Sequence, residues 1–336
     1  MKYQFALIGC GRIAARHAEN IVKYGQLKAV CDVVPQKADS FAAQYGATAY
    51  YAIDDLLRAE NNIDVVVVCT PNGLHAEHSI KSLQARKHVL CEKPLCLTSA
   101  AAWQMIDTAY FFRKKLFVVK QNRYNEPVQR VKEILETGGL GAIYNFQINC
   151  FWNRPQEYYT GDWKGNEHLD GGILYTQFSH FIDLLYWYLG EVESVKGFLN
   201  NFQQRAHFQL EDTGAVALQM KSGVVGTLNY TINSYNHNRE GSFTLFGEKG
   251  TLKIGGQYLN TLEWFDVAGQ AEPSILHSGK ANDYGFYKGS MSNHEKVYED
   301  LMASLEGNGT LLEAKDAAKA VEIIEKIYAA TRTDTA

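Results

Sequence analysis

The sequence predicts an α/β protein: an N-terminal doubly wound parallel sheet, then a C-terminal α+β domain with a large open, mostly antiparallel sheet. Three observations predict it. Short apolar runs alternate with helical stretches over the first part of the chain. A glycine-rich turn joins the first run to the first helix. Later, alternating runs follow one another with only turn signals between them. The domains are expected at 1–121 and 122–336.

Taken in order, residues 5–8 are apolar, Gly9-Cys10-Gly11-Arg12-Ile13-Ala14 follows, and 15–24 reads as a helix. A second apolar run, 27–31, ends at Asp32. Residues 53–58 predict a short helix, and 63–69 is a β-branched run of the kind buried on both faces of a parallel sheet. Helices over 76–85 and 99–114 and strands over 88–91 and 116–119 complete this half. Then 127–136 predicts a helix closed by Gly138-Gly139, and 144–151 alternates like a half-buried strand. Residues 174–189 read as one aromatic-rich helix ended by Gly190. Runs over 192–199, 213–220, 225–231, 242–247 and 251–254, with turns at Ser222-Gly223 and Lys249-Gly250, predict hairpins. Helices are expected over 292–306 and 312–331, the second starting near Leu311.

The 336 residues suffice for two domains, and a net charge of −4 without a long basic run argues against nucleic acid. The apolar runs are too short to span a bilayer, and the glycine loop interrupts any secretion-signal core. The six cysteines, Cys10, Cys31, Cys69, Cys91, Cys96 and Cys150, form no CxxC pair, and most lie in or beside strand ends. That suits reduced thiols in a cytoplasmic protein. The 20 tyrosines and 16 phenylalanines concentrate in the later part, which predicts aromatic packing on a large sheet and an oligomer surface.

The run of strand, glycine turn, helix, strand and acid carries the first chemistry. Gly9 allows a tight turn, Gly11 lets backbone approach a pyrophosphate, and Ala14 lets the helix pack close to the strand. Unpaired N–H groups at the helix start then face the phosphates. Asp32, about 20 residues on, would accept hydrogen bonds from an adenosine ribose and repel a 2′-phosphate, so NAD is expected rather than NADP.

Other polar residues cluster where strands end. Thr70-Pro71-Asn72 precedes His75, and Glu92-Lys93-Pro94 follows Cys91. Pro94 admits a cis bond that would hold Lys93 in place; the plainer alternative is an exposed turn lysine. His75 and His78 have metal-like spacing, but no third ligand lies nearby and no metal is expected. The richest stretch runs from Trp152-Asn153-Arg154 to Gln177-Phe178-Ser179-His180-Phe181-Ile182-Asp183. On a continuous helix Gln177, His180 and Asp183 would share a face, either lining a cavity or satisfied within the core.

Together these segments resemble the Gfo/Idh/MocA oxidoreductase family over nearly the whole chain: GCGRIAARH, TPN with its following His, EKP, and the GG…H..D segment. The chain looks most like the branch of UDP-N-acetyl-glucosaminuronate 3-dehydrogenases of bacterial surface-polysaccharide (lipopolysaccharide) synthesis. KQNRYN at 120–125, NRPQEYY at 153–159, DWKG at 162–165, DGGILYTQFSHFIDLL at 170–185, EDTG at 211–214 and LFGEKGTLKIGG at 245–256 carry this narrower match.

The resemblance implies an N-terminal Rossmann domain and an NAD-dependent dehydrogenase of sugar-ring hydroxyls. Lys93 and His180 match the family's catalytic pair. Gly9, Gly11, Arg12, Ile13, Asp32, Thr70, Pro71, Asn72, His75, Glu92, Lys93 and Gln121 fall at cofactor-contact positions. Many relatives carry an aspartate four residues before the histidine; Thr176 stands there, which argues against simple polyol dehydrogenases. A substrate with a carboxylate and a diphosphate needs cationic and amide partners. The candidates are Lys93, Arg123, Asn125, Arg154, Tyr159, Trp163, Lys164, Gln177, His180 and Arg239. Bound NADH is expected to be reoxidised by 2-oxoglutarate, and the chain to form a tetramer or dimer. The competing readings are an inositol- or glucose-type dehydrogenase and a non-catalytic dinucleotide-binding regulator.

Overall fold

The computed structural model describes residues 3–160, 163–204, 208, 210–274, 281–283, 288–308 and 313–331. Asp162 of the DWKG segment and Leu311 lie outside the described residues. The chain forms two compact units. The first comprises the chain up to Lys120, His168–Asp170 and His294–Val321; the second comprises Gln121–Glu167, Gly171–Asn293 and the chain from Glu322.

The first unit is built from β1 (Tyr3–Ile8), α1 (Ala14–Tyr24), β2 (Gly25–Cys31), α2 (Pro35–Tyr45), β3 (Thr48–Tyr50), α3 (Ile53–Ala59), β4 (Val65–Val68), α4 (His75–Gln84), β5 (His88–Cys91), α5 (Ser99–Phe111) and β6 (Leu116–Val118). Its six strands run parallel in the order β3-β2-β1-β4-β5-β6. The order reverses between β1 and β4, so the strand ends beside this switch point open a crevice. The valines of β4 are wholly buried, as a central parallel strand requires. Ala14, His17, Ala18 and Ile21 form the buried stripe of α1 at helical spacing.

The second unit contains α6 (Glu126–Glu136), β7 (Ile143–Phe151), α7 (Ile173–Thr176), α8 (Ser179–Leu189), β8 (Val192–Asn200), β9 (Thr213–Met220), β10 (Val225–Thr231), β11 (Glu240–Gly247), β12 (Gly250–Gly255), β13 (Thr261–Val267) and the pair β14 (Ala281–Asp283) and β15 (Lys288–Met291). Seven strands form one sheet in the order β13-β12-β11-β7-β10-β9-β8. All its pairs are antiparallel except β7 with β10. One face buries Phe146, Ile148, Leu228, Tyr230 and Phe243 against aromatics of α8 and the residue before it, where Tyr188 meets Phe243 edge-on and Phe178 packs on Tyr230. The alternation leaves Phe198, Val225 and Trp264 exposed. The chain continues through α9 (His294–Leu305) and α10 (Ala314–Thr331). Among the described residues no helix is long and apolar enough to cross a membrane.

The expected helix over 174–189 is two helices. Gln177 N and Phe178 N both bond to Ile173 O, and the chain restarts as α8 with Phe178 and Phe181 buried. Gln177 and His180 are therefore not neighbours along one continuous helix. Helix α2 and strands β3, β13, β14 and β15 carried too little pattern to be read. In α2 only Ala38 is buried, and most of β13 is half-buried or exposed.

Candidate active site

The glycine turn is shaped for a diphosphate. Gly9 has φ +92°, and a Cβ there would lie 2.6 Å from the Cys69 carbonyl oxygen, so only glycine fits. A Cβ on Gly11 would meet nothing within 4 Å, leaving that side of the loop open. No side chain caps the start of α1, where Ile13 is half-buried and Arg12 exposed. Asp32 ends β2 beside this loop; its Oδ2 accepts from Cys10 N and its Oδ1 from Val34 N, each at 2.8 Å. Burial first, and then the Asp32 charge, pushes the Cys10 thiol up to about 12. All six cysteines are buried and none is in a disulfide among the described residues. A glycine without room for a side chain, an open second glycine, an uncapped helix and a fixed terminal carboxylate fit a dinucleotide.

Next to it, His75 lies between the carbonyls of Thr70 at 2.8 Å and Pro94 at 2.7 Å. Burial lowers its pKa. His78 Nδ1 meets Thr70 Oγ1 at 3.0 Å, so this histidine pair fixes Thr70. Asn72 is buried behind half-buried Pro71 and donates to Asp170 O at 2.8 Å. The Lys93–Pro94 bond is cis, and Lys93 is half-buried. Glu92 accepts from Lys93 N at 3.0 Å through Oε2 and contacts His17 Nε2 at 2.8 Å through Oε1.

The second unit gathers the other candidates. His180 Nε2 lies 3.2 Å from Gln121 Nε2, which also donates to Ser290 Oγ at 3.0 Å. With the amide assigned this way, His180 Nε2 accepts and its ring proton sits on Nδ1. Arg123 is only 1% exposed; its Nε and Nη2 reach the two Asp183 oxygens, both at 2.7 Å, and its guanidinium stacks on Trp187. Buried Asn125 donates to Tyr258 O and Leu259 O and accepts from Asn293. Arg154 Nε donates to Gln177 Oε1 at 2.7 Å, and Gln177 Nε2 donates to Tyr158 OH at 2.7 Å. Arg154 also donates to Asn153 O and Asn238 Oδ1 and lies over Trp152. Tyr159 is buried, Trp163 half-buried, and half-buried Lys164 sits 4.1 Å from the Tyr158 ring centroid. Arg239 is exposed.

Thus Gln121 meets His180, and Arg154 meets Gln177, while Arg123 and Asn125 bond within the fold. The sequence reading missed His17 and His294, which flank Glu92, Tyr298, which contacts His17, and Glu211, which accepts from Tyr328 OH at 2.6 Å and from Ile173 N at 3.2 Å. One signal was available: His17 stands in the apolar stripe of α1, where a polar side chain needs a buried partner.

Two family models match, an NAD-binding Rossmann-fold oxidoreductase domain over residues 3–119 and a Gfo/Idh/MocA C-terminal domain over 128–253. The fold is similar to the WlbA dehydrogenase of Chromobacterium violaceum, solved with NADH and UDP-GlcNAcA (TM-score 0.89, 34% identity, 98% of this chain and 94% of that one). WlbA from Bordetella pertussis, solved with the same ligands, matches with TM-score 0.88 and 34% identity over 99% and 97% of the two chains. Among curated relatives, glucose-6-phosphate 3-dehydrogenase of Bacillus subtilis is 30% identical over 59% of this chain and 57% of its own length. Myo-inositol 2-dehydrogenase of Thermotoga maritima is 28% identical over 74% of each. The glycine turn, the EKP segment and the two matched domains together make this chain a member of the Gfo/Idh/MocA family of NAD-binding oxidoreductases.

Proposed function

We propose that the protein oxidises a ring hydroxyl of a nucleotide sugar, C3 of UDP-N-acetyl-glucosaminuronic acid, in surface-polysaccharide synthesis. The observation that carries this is the end-to-end likeness at 34% identity to two dehydrogenases solved with NADH and UDP-GlcNAcA. NAD+ supplies the hydride acceptor. The hydroxyl proton passes to a base of the chain, and Lys93 and His180 are the proposed pair. His180, held by Gln121, is suited to take or relay the proton. Desolvation and a cationic ring nearby would let Lys93 lose its proton more readily. Lys164, Trp163, Tyr159 and Arg239 are the proposed contacts to the charged substrate. Arg123, Asn125 and Arg154, bonded inside the second unit, hold the segments that carry His180 and Gln177. Reoxidation of bound NADH by 2-oxoglutarate and assembly into a dimer or tetramer through the exposed sheet face belong to the same reading.

Curated relatives named for a D-glucoside and for myo-inositol support a second reading, a sugar or polyol dehydrogenase. Nicotinamide absorbance during incubation with UDP-N-acetyl-glucosaminuronic acid, glucose and myo-inositol, each with and without 2-oxoglutarate, separates the two. Turnover of the UDP-sugar with little on the free sugars is expected; the reverse order overturns the assignment. Lys93→Met and His180→Asn should each lower kcat by about a hundredfold or more. Near-normal kcat in both would remove the pair from the mechanism.

A further inference from the structure

We propose that Glu92 is a positioning residue that fixes the main chain at Lys93, and that His17, Tyr298 and His294 hold its carboxylate for this task. The inference rests on Lys93 acting in catalysis. All these groups belong to the first unit. Glu92 sits at the end of β5 and is nearly buried. Its Oε2 takes the Lys93 N–H at 3.0 Å, and its Oε1 lies 2.8 Å from His17 Nε2. His17 is 0% exposed, and its Nδ1 lies 2.9 Å from Tyr298 OH. A single neutral tautomer satisfies both contacts: Tyr298 O–H donates to Nδ1, and Nε2–H donates to Glu92. A relay of hydrogen bonds therefore runs from α9 through α1 to the backbone of the EKP turn.

His294 completes the cluster. It is 1% exposed, its ring meets that of His17 edge-on, and its Nε2 lies 3.6 Å from Glu92 Oε1. Among the described residues neither of its ring nitrogens makes a hydrogen bond, and its nearest acceptor is the Glu92 carboxylate. A buried polar group left this way is costly, so its location beside Glu92 completes the polar cluster. Burial alone would raise the Glu92 pKa, but His17 and His294 outweigh it and hold the carboxyl well below its usual range. Burial lowers the pKa of His17, in keeping with its neutral form. Ligating atoms of His17, Glu92 and His294 lie within 4.8 Å of one another, a spacing that would also admit a divalent cation. The two short contacts of His17 already engage the nitrogens and the oxygen a cation would need, so the geometry favours the hydrogen-bonded relay.

The test compares wild type with Glu92→Gln, His17→Leu and His17→Gln. Steady-state oxidation of UDP-N-acetyl-glucosaminuronic acid is followed for each. Misplacing a catalytic group by about 1 Å costs about a hundredfold, so Glu92→Gln and His17→Leu should lower kcat by about ten- to a hundredfold. KM for the sugar should change far less. His17→Gln, whose amide can still donate to Glu92, should recover most of the loss. A loss confined to KM, or no rescue by His17→Gln, would overturn the proposal. So would one equivalent of zinc that survives dialysis in wild type and disappears in His294→Ala. Should His17→Leu not fold, Tyr298→Phe reports on the same relay through a smaller drop in kcat, and unchanged kcat there counts against it. Lys93→Met checks the underlying reading separately. Full turnover in that variant removes Lys93 from the chemistry; wild-type turnover in Glu92→Gln beside an inactive Lys93→Met removes only the positioning role.

Discussion

Replacing Arg123 by methionine should destabilise the second unit far more than loss of a surface ion pair would. The guanidinium is 1% exposed and forms two parallel bonds of 2.7 Å to Asp183, which ties the 121–124 turn to α8. Its carbon lies 4.8 Å from the Trp187 ring centroid, so the site is aromatic as well as charged. Methionine keeps the length of the stem but abandons the Asp183 carboxylate, whose side chain is 13% exposed. Removing one partner of a buried pair costs about 3–5 kcal/mol, and water at Asp183 brings the expected value to the lower end, about 3 kcal/mol. Adding Asp183→Leu should return part of that loss, because no unpaired charge then remains buried. Equilibrium urea unfolding followed by tryptophan fluorescence measures both variants. If Arg123→Met stays within about 1 kcal/mol of wild type, the fork behaves as an exposed pair and the reasoning fails. Since the same turn carries Gln121 against His180, Arg123→Met should also lower kcat more than it alters NADH affinity.

Two other expectations follow from single sites. Gly11→Val should leave the unfolding midpoint nearly unchanged, because a Cβ there meets nothing within 4 Å, yet weaken NADH binding by about tenfold or more; unchanged affinity by fluorescence titration would show that backbone at Gly11 does not approach the cofactor. His88 is held neutral by burial first and then by Lys114 and Lys115, its pKa lowered to about 4, while Lys115 N donates to its Nδ1 at 3.0 Å. A histidine with a depressed folded pKa stabilises the fold above its unfolded value of about 6.5, and that contribution is lost as pH falls from there towards about 4. His88→Gln should therefore flatten the fall in urea midpoint over that interval, and an equally steep fall would refute the assignment.

Much of the architecture could be read locally. The β-branched run at β4 announced a central strand, because a strand buried on both faces tolerates little else. Strands β9 and β10 have the bounds their alternation implied. The break before α8 could not be read, because periodicity continues through Gln177 while its side chain is claimed by Arg154 and Tyr158, 23 and 19 residues away in sequence. Edge strand β13 carries so little burial that its pattern is nearly silent.

By itself the sequence determined the two kinds of sheet and the dinucleotide turn, since each is written in neighbouring residues whose period and backbone freedom are local properties. Only the tertiary structure decided which polar side chains share a partner. Arg123 meets Asp183 across 60 residues, and His17 reaches Glu92 across 75 and Tyr298 across 281. Such pairings depend on sheet register and helix packing, and a buried donor is matched to its acceptor only once those elements have come together.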